Sequence, residues 1–321
     1  TGAHMICWEG CENNQDKQDA MRVAARLGIP FMVFDFRKEY REAVFDYMVR
    51  EYAVGRTPNP DVMCNREIKF GIFLSRALGL GADYVATGHY IRKKGTALFE
   101  AKDKNKDQSY FLWTLTPEQL TRSLFPIGDY LKSEVRKIAA DAGLVTAAKK
   151  DSQGLCFVGD IDFQKFLRSY LPTCEGAIVR SDGEVIGTHE GAHFFTPGQR
   201  HGIKVGGGTA YYVAEKNVEE NKIVVASLDD PVLYKKENEV SGLNLLFDLP
   251  ELVEVRIRYR QPRQSARIIK HEACSINHKA GFKFLDSCCM IQFDTPQRGV
   301  APGQSAVFYC GEEMLGGGII Q

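Results

Sequence analysis

The stretch Asp83-Tyr84-Val85-Ala86-Thr87-Gly88-His89-Tyr90 reads as a short apolar strand running directly into a glycine and a histidine. Upstream, Glu67 to Leu80 has helical period and closes on Gly79 and Gly81. Phe31 to Phe36 is a short apolar run of the kind found in buried strands. It lies between two amphipathic segments. Asp16 to Leu27 carries Ala20, Met21, Val23, Ala24 and Leu27 on one helical face, with Gly28 as its stop. Glu42 to Tyr52 repeats Val44, Phe45, Met48 and Val49 at helical spacing. Downstream, Ser133 to Ala142 is a further helix closed by Gly143. Helix–strand alternation of this kind predicts an α/β domain with a parallel sheet and helices on both faces. Ligands of such sheets bind beyond the carboxyl ends of the strands, which places Gly88-His89-Tyr90 at the working edge.

After about Leu171 the texture changes. Ala177 to Arg180, a Ser181-Asp182-Gly183 turn and Glu184 to Gly187 read as a hairpin. Tyr211 to Ala214 and Lys222 to Ala226 flank another turn, and from about Val240 the pattern is almost wholly β. The expected organisation is a catalytic α/β domain over 5–165, a small β-rich domain over 166–236 and a C-terminal β-barrel over 237–321. Thr1 to His4, ahead of Met5, read as a leader foreign to the fold.

The 41 basic and 41 acidic residues cancel, which argues against a generic polyanion binder but leaves room for a local basic face. The nine cysteines are odd in number and irregularly spaced, so a secreted disulfide scaffold is excluded. No apolar run approaches the ~20 residues needed to span a bilayer. A reducing, cytoplasmic setting is expected, with no membrane partner.

Four constellations carry candidate chemistry. Gly55-Arg56-Thr57-Pro58-Asn59-Pro60-Asp61-Val62-Met63-Cys64-Asn65 reads as a rigid loop, its two prolines arguing against a helix, with Cys64 just ahead of a helix near Glu67. There Cys64 is either a packed loop cysteine or a thiol activated by a helix N-terminus. Lys149-Lys150-Asp151-Ser152-Gln153-Gly154-Leu155-Cys156-Phe157 presents a second cysteine after two lysines, which would favour its thiolate; a buried strand cysteine is the other reading. Asn105 to Trp113 sets Lys106, Asp107 and Gln108 beside aromatic residues, suited to RNA or to a polar turn entering the core. Val253 to Arg260 places Arg256, Arg258 and Arg260 on one strand face, a phosphate stripe or a solvated face.

Together these stretches resemble the tRNA 2-thiouridylase family. The likeness runs from about Cys11 to Gln321 and includes Gly55 to Gly71, Ala86 to Tyr90, Lys106 to Leu112, Lys150 to Phe157, Gly198-Gln199-Arg200, Arg258 to Gln261, Pro302 to Tyr309 and Leu315 to Ile320. The resemblance implies an adenine-nucleotide α-hydrolase-like (PP-loop) N-terminal domain and ATP-dependent 2-thiolation of the wobble uridine of tRNA. By the same resemblance Cys156 carries sulfur as a persulfide, and Cys64 attacks it to form a transient disulfide. Asn59, Pro60 and Asp61 match the loop that touches the target base, and Asp61 is a candidate proton acceptor. Gly88 matches an ATP-site residue. His89, Lys106, Asp107, Gln108, Arg258, Tyr259 and Gln304 match tRNA contacts. ATP and Mg2+ are the implied cofactors. The implied partners are the tRNA anticodon loop and a sulfur-relay protein or cysteine desulfurase.

One family feature is missing. No Ser-Gly-Gly-Val-Asp-Ser-type loop occurs: Gly206-Gly207-Gly208 and Gly316-Gly317-Gly318 are followed by neither Asp-Ser nor a helix. The chain is expected to begin after that element, near Cys7-Trp8-Glu9, as a truncated form or a natural variant, and to activate uridine poorly. The competing function is a non-catalytic tRNA-binding protein. A thiol oxidoreductase is disfavoured because no Cys-x-x-Cys is present. No metal site is expected, since neither Cys7 with Cys11 nor Cys288 with Cys289 has a matching second pair.

Overall fold

The computed structural model describes residues 1–8, 14–149, 163–203, 205–206, 208–273 and 287–321. These fall into two compact units, one of residues 1–47 and 60–163, the other of residues 48–59 and 164–321.

The first unit holds two parallel strand pairs. β1 (Gly2–Ile6) pairs with β2 (Phe31–Asp35) in register from Gly2↔Phe31 to Ile6↔Asp35. β3 (Val85–Ala86) pairs with β6 (Ser123–Leu124), while β4 (Ile91–Lys94) and β5 (Ala97–Glu100) form an antiparallel hairpin between them in sequence. Thr1 to His4 are therefore no foreign leader: Gly2, Ala3 and His4 belong to the strand ladder, and Gly2 N–H donates to Pro30 O at 2.7 Å. Backbone pairing needs no particular side chain, so small and polar residues serve there as well as apolar ones.

The first helix, Asn14–Leu27, ends as its sequence requires, with Gly28 at φ 65°. A second helical run passes through Arg37–Tyr40, Arg41–Phe45 and Asp46–Ala53. The helix expected from Glu67 instead starts at Pro60 and continues through Pro60–Met63, Cys64–Phe73 and Leu74–Gly79. Proline is suited to the first helical position, where its missing N–H would have no partner and its φ is already helical. Reading Pro60 as a breaker misplaced the start.

In the second unit a four-stranded sheet has the order β8 (Val185–His189), β7 (Gly176–Arg180), β10 (Lys222–Ala226), β9 (Tyr212–Asn217). Gly183, at φ 96°, makes the predicted turn between β7 and β8. β11 (Tyr234–Leu245), β12 (Leu252–Arg256), β13 (Gln264–Ala273), β14 (Ser287–Arg298), β15 (Ser305–Cys310) and β16 (Glu313–Ile320) close into a barrel, because β11 pairs with both β14 and β16. Its interior is filled by Val255, Ile257, Ile291, Phe293 and Phe308. Among the described residues no helix is long and apolar enough to cross a membrane.

Cys64–Phe73 is wound as a π-helix. A Cβ on Gly71 would lie 2.7 Å from the Arg66 carbonyl oxygen, five residues back, so a side chain at this position would force a local shift. Gly71→Ala should lower stability by about 1–3 kcal/mol, the usual range for overpacking, read as a reduced urea midpoint at unchanged slope.

Candidate functional site

Asp61, Asn65 and Lys69 follow one another at intervals of four along the helix from Pro60, an arrangement that puts them on one face. Cys64 lies beside Asn65 and is 4% exposed. It occupies the fifth position of the helical run, so the N-terminal dipole, which fades within the first turn, is not its activator. The π-helical winding begins at Cys64 itself.

His89 faces this helix from the loop after β3. Its ring is 7% exposed and its two nitrogens have different partners. Nδ1 is 2.8 Å from Thr87 Oγ1, and Nε2 is 3.2 Å from Asn65 Oδ1. Asn65 Nδ2 in turn donates to Phe111 O at 3.2 Å. An amide oxygen only accepts, so Nε2 carries the proton and Nδ1 accepts from the Thr87 hydroxyl. The relay runs from Thr87 through His89 and Asn65 to Phe111, and the rotatable Thr87 hydroxyl is its adjustable link. Burial, and then the ammonium of Lys69, push the His89 pKa down to about 3. Burial raises the Asp61 carboxyl above the ordinary carboxylate range, and Lys69 opposes that rise.

A cleft of about 780 Å3 opens between the strand pairs. Met32, Phe34 and Phe73 form apolar wall; Thr87, Gly88, His89, Gln108 and Lys69 bring polar groups. A Cβ at Gly88 would meet only Ile127 Cδ1, at 4.0 Å, so the floor there is open. The volume and mixed lining fit the nucleoside end of ATP. Lys69 is the one cationic side chain among the described lining residues. No group of three or more His, Cys, Asp or Glu side chains able to hold a metal occurs among the described residues.

The Lys106 segment divides its work. Gln108 exchanges two bonds with Tyr90, its N–H donating to Tyr90 O and its Oε1 accepting from Tyr90 N–H, both at 2.9 Å. That lock sets Gln108 beside His89 on the cleft. Asp107, 4% exposed, accepts from Ala101 N–H at 3.0 Å and from Ser109 Oγ at 2.7 Å. Its carboxylate orders the turn from within and offers little to an RNA. Lys106 is half-buried, and its N–H donates to Asp103 O at 3.0 Å.

The second unit holds Asn59, Arg258, Tyr259 and Gln304. The expected three-arginine stripe does not form. β12 ends at Arg256, Arg260 has φ 63°, and Arg258 turns its guanidinium onto Pro197 O and Gly299 O, each at 2.5 Å. Two unpaired carbonyls at tight glycine turns hold Arg258 more firmly than solvent would. Arg260 stacks over the Tyr259 ring at 5.2 Å. Cys156 and the loop before it lie outside the described residues. Lys149, expected to activate that cysteine, instead binds Asp16 at 2.5 Å and Asp19 at 2.6 Å, and those carboxylates raise its pKa.

Sequence reasoning passed over Asn65, Lys69 and Thr87. The signal for the first two was the four-residue spacing from Asp61, hidden while this stretch was taken for a loop.

Three family models match in order: a tRNA methyl transferase HUP domain over residues 3–160, a tRNA methyl transferase PRC-barrel domain over 164–227, and an aminomethyltransferase beta-barrel domain over 235–320. The tRNA-specific 2-thiouridylase MnmA of Halalkalibacterium halodurans is 45% identical over 335 residues, covering 99% of this chain and 87% of that protein. The enzyme of the same name from Chromobacterium violaceum is 45% identical over 337 residues, covering 100% of this chain and 85% of its own. The chain belongs to the tRNA-specific 2-thiouridylase family. The HUP match begins at residue 3, in agreement with β1. The three matches account for the parallel strands, the four-stranded sheet and the barrel of this family member.

His89 sets a pH dependence. Its folded pKa is depressed from 6.5, so its stabilising share is fully present above about 6.5 and is lost as pH falls toward 3. The slope from this one group approaches about 1.4 kcal/mol per pH unit. Denaturant titrations between pH 7 and pH 4 should show it, and His89→Gln should flatten that part of the profile.

Proposed function

We propose that this chain thiolates C2 of the wobble uridine of tRNA, with Cys156 carrying the sulfur and Cys64 releasing it. The reading rests on one observation above others. Cys64 is buried on a helix whose Lys69 lines the cleft beside Gly88 and His89 and whose Asn65 is bonded to His89. The substrate named for the relatives, tRNA, and their thiouridylase activity come to this chain by family membership.

The residues divide the chemistry as follows. A persulfide on Cys156 holds a terminal sulfur. The Cys64 thiolate attacks the inner sulfur, the Cys64–Cys156 disulfide forms, and the terminal sulfur departs as hydrosulfide with the electron pair of the broken bond. Hydrosulfide adds at C2 of the uracil. An outside thiol must then reduce the disulfide, and a sulfur-relay protein or cysteine desulfurase must reload Cys156. Asp61, made more basic by burial, accepts a proton at the base. Neutral His89 holds Asn65, and through it the turn that bears Cys64. Gly88 and the apolar wall of Met32, Phe34 and Phe73 would hold the nucleoside of ATP, whose use is taken to require Mg2+. ATP, when bound, supplies the activation that makes the uracil oxygen a leaving group. Asn59, Pro60 and Gln108 contact the anticodon loop, whose unpaired target base costs only a few kcal/mol to turn out.

The competing reading is a tRNA binder without catalysis. Cys64→Ala and Cys156→Ala separate the two. Each should abolish thiouridine formation while tRNA affinity stays within about threefold, and Asp61→Asn should cost about 10²–10⁴-fold in rate. Mass mapping after mild oxidation should join Cys64 to Cys156; a Cys156–Cys174 linkage would refute the assignment of roles.

A further inference from the structure

The segment Gly55–Asn59 leads covalently into Pro60, Asp61 and Cys64, and the barrel grips it at three successive residues. Arg56 Nη1 donates to Gln321 Oε1 at 2.9 Å. Thr57, 6% exposed, donates its N–H to Pro302 O at 2.7 Å. Gln304 Nε2 donates to Thr57 O at 2.8 Å and reaches Pro58 O at 3.4 Å. Between these lies Gly303, at φ 92°. A Cβ there would fall 2.8 Å from Thr57 N and 3.0 Å from Thr57 O. The Pro302-Gly303-Gln304 turn and the Thr57 backbone thus meet with no side chain between them. On the other flank Thr57 Oγ1 is 3.3 Å from Thr196 Oγ1, and Thr196 N–H is held by Gln199 Oε1 at 3.0 Å.

Pro58 and Pro60 carry no N–H, so the loop cannot brace itself by backbone donation at those residues. Besides the Thr57 N–H, already engaged with Pro302 O, the carbonyls of Thr57 and Pro58 offer points to hold, and the Gln304 amide supplies the donor. Gln304 is half-buried, and its Oε1 accepts no hydrogen bond among the described residues. A residue used only to touch RNA would not need its nitrogen committed to a loop of its own chain.

We propose that Gln304 is a positioning residue for the target-base loop: its amide fixes Thr57 and Pro58, and so sets where Asn59-Pro60-Asp61 begins. This rests on the thiouridylase reading for what the loop does, but not for the clamp itself. A contact residue and a positioning residue differ in what their loss changes. Loss of a contact weakens RNA binding and leaves the bound base in place. Loss of a positioning group leaves binding largely intact and misplaces the base.

Two measurements on the full chain decide it. In the free protein, hydrogen exchange at Thr57 and Asn59 should accelerate at least tenfold in Gln304→Glu, which keeps the shape of glutamine but has no N–H. Gln304→Lys, which restores a donor, should return protection toward that of the unaltered protein. In the complex, tRNA bearing 5-fluorouridine at the wobble position should show a shifted 19F resonance with the unaltered protein. With Gln304→Ala the affinity should stay within about threefold while that resonance reverts to its free-loop position. Unchanged exchange in Gln304→Glu, or a weakened Kd with the bound resonance intact, would overturn the proposal. Should the unaltered protein not bind tRNA, the functional reading fails, and the exchange experiment still decides the clamp.

Discussion

The hydrogen bond from His89 Nε2–H to Asn65 Oδ1 joins residues 24 apart in sequence and fixes the helix of Cys64 against the loop that follows β3. Both partners are nearly excluded from water, so neither can exchange the other for solvent without cost. The bond has a direction, and the direction imposes a charge state. A protonated ring would leave Nδ1–H facing the Thr87 hydroxyl, and only rotation of that hydroxyl could accept it. It would also place a cation near Lys69 inside the fold. A neutral His89 is therefore a structural condition of the site. The same condition argues against His89 as a proton shuttle near neutral pH and leaves that work to a group such as Asp61.

Around this bond the chain arranges neutral donors and acceptors in preference to ion pairs. Gln108 binds Tyr90 through its amide oxygen, Asn65 binds Phe111 O, and Asp107 serves the backbone of its own turn. Two basic groups singled out in the sequence follow suit. Arg258, matched to a tRNA contact, closes two glycine turns, and Lys149, expected to favour the Cys156 thiolate, neutralises two aspartates. A family likeness can carry a residue to the right place while its side chain is engaged in holding that place together.

What the sequence made legible depended on the kind of signal. Gly28 and Gly143 announced helix ends because a left-handed residue without a Cβ has few other uses there. The β7–β8 turn was legible for the same reason at Gly183. The parallel character of the first half followed from alternation, and Gly88-His89 at the strand end followed from the rule for such sheets. Pro60 was misread because proline both breaks helices and begins them, and only tertiary packing chooses. That single ambiguity hid the Asp61-Asn65-Lys69 face. The arginine stripe failed for a different reason. Period two holds only while a strand continues, and the backbone leaves β12 after Arg256, with Arg260 in the left-handed region.

Burial of Cys64 bears on why two cysteines serve better than one. A thiol 4% exposed is shielded from bulk oxidants and from small disulfides. It can meet only a sulfur that the protein itself brings in. Such a cysteine is a poor loading site, because a donor protein must reach the sulfur it charges. On the proposed reading it suits release, because hydrosulfide set free beside it forms away from bulk water. Loading and release therefore favour opposite exposures, and one residue cannot satisfy both. On the proposed reading Cys64 takes the releasing role, and the helix from Pro60 keeps it buried for that task.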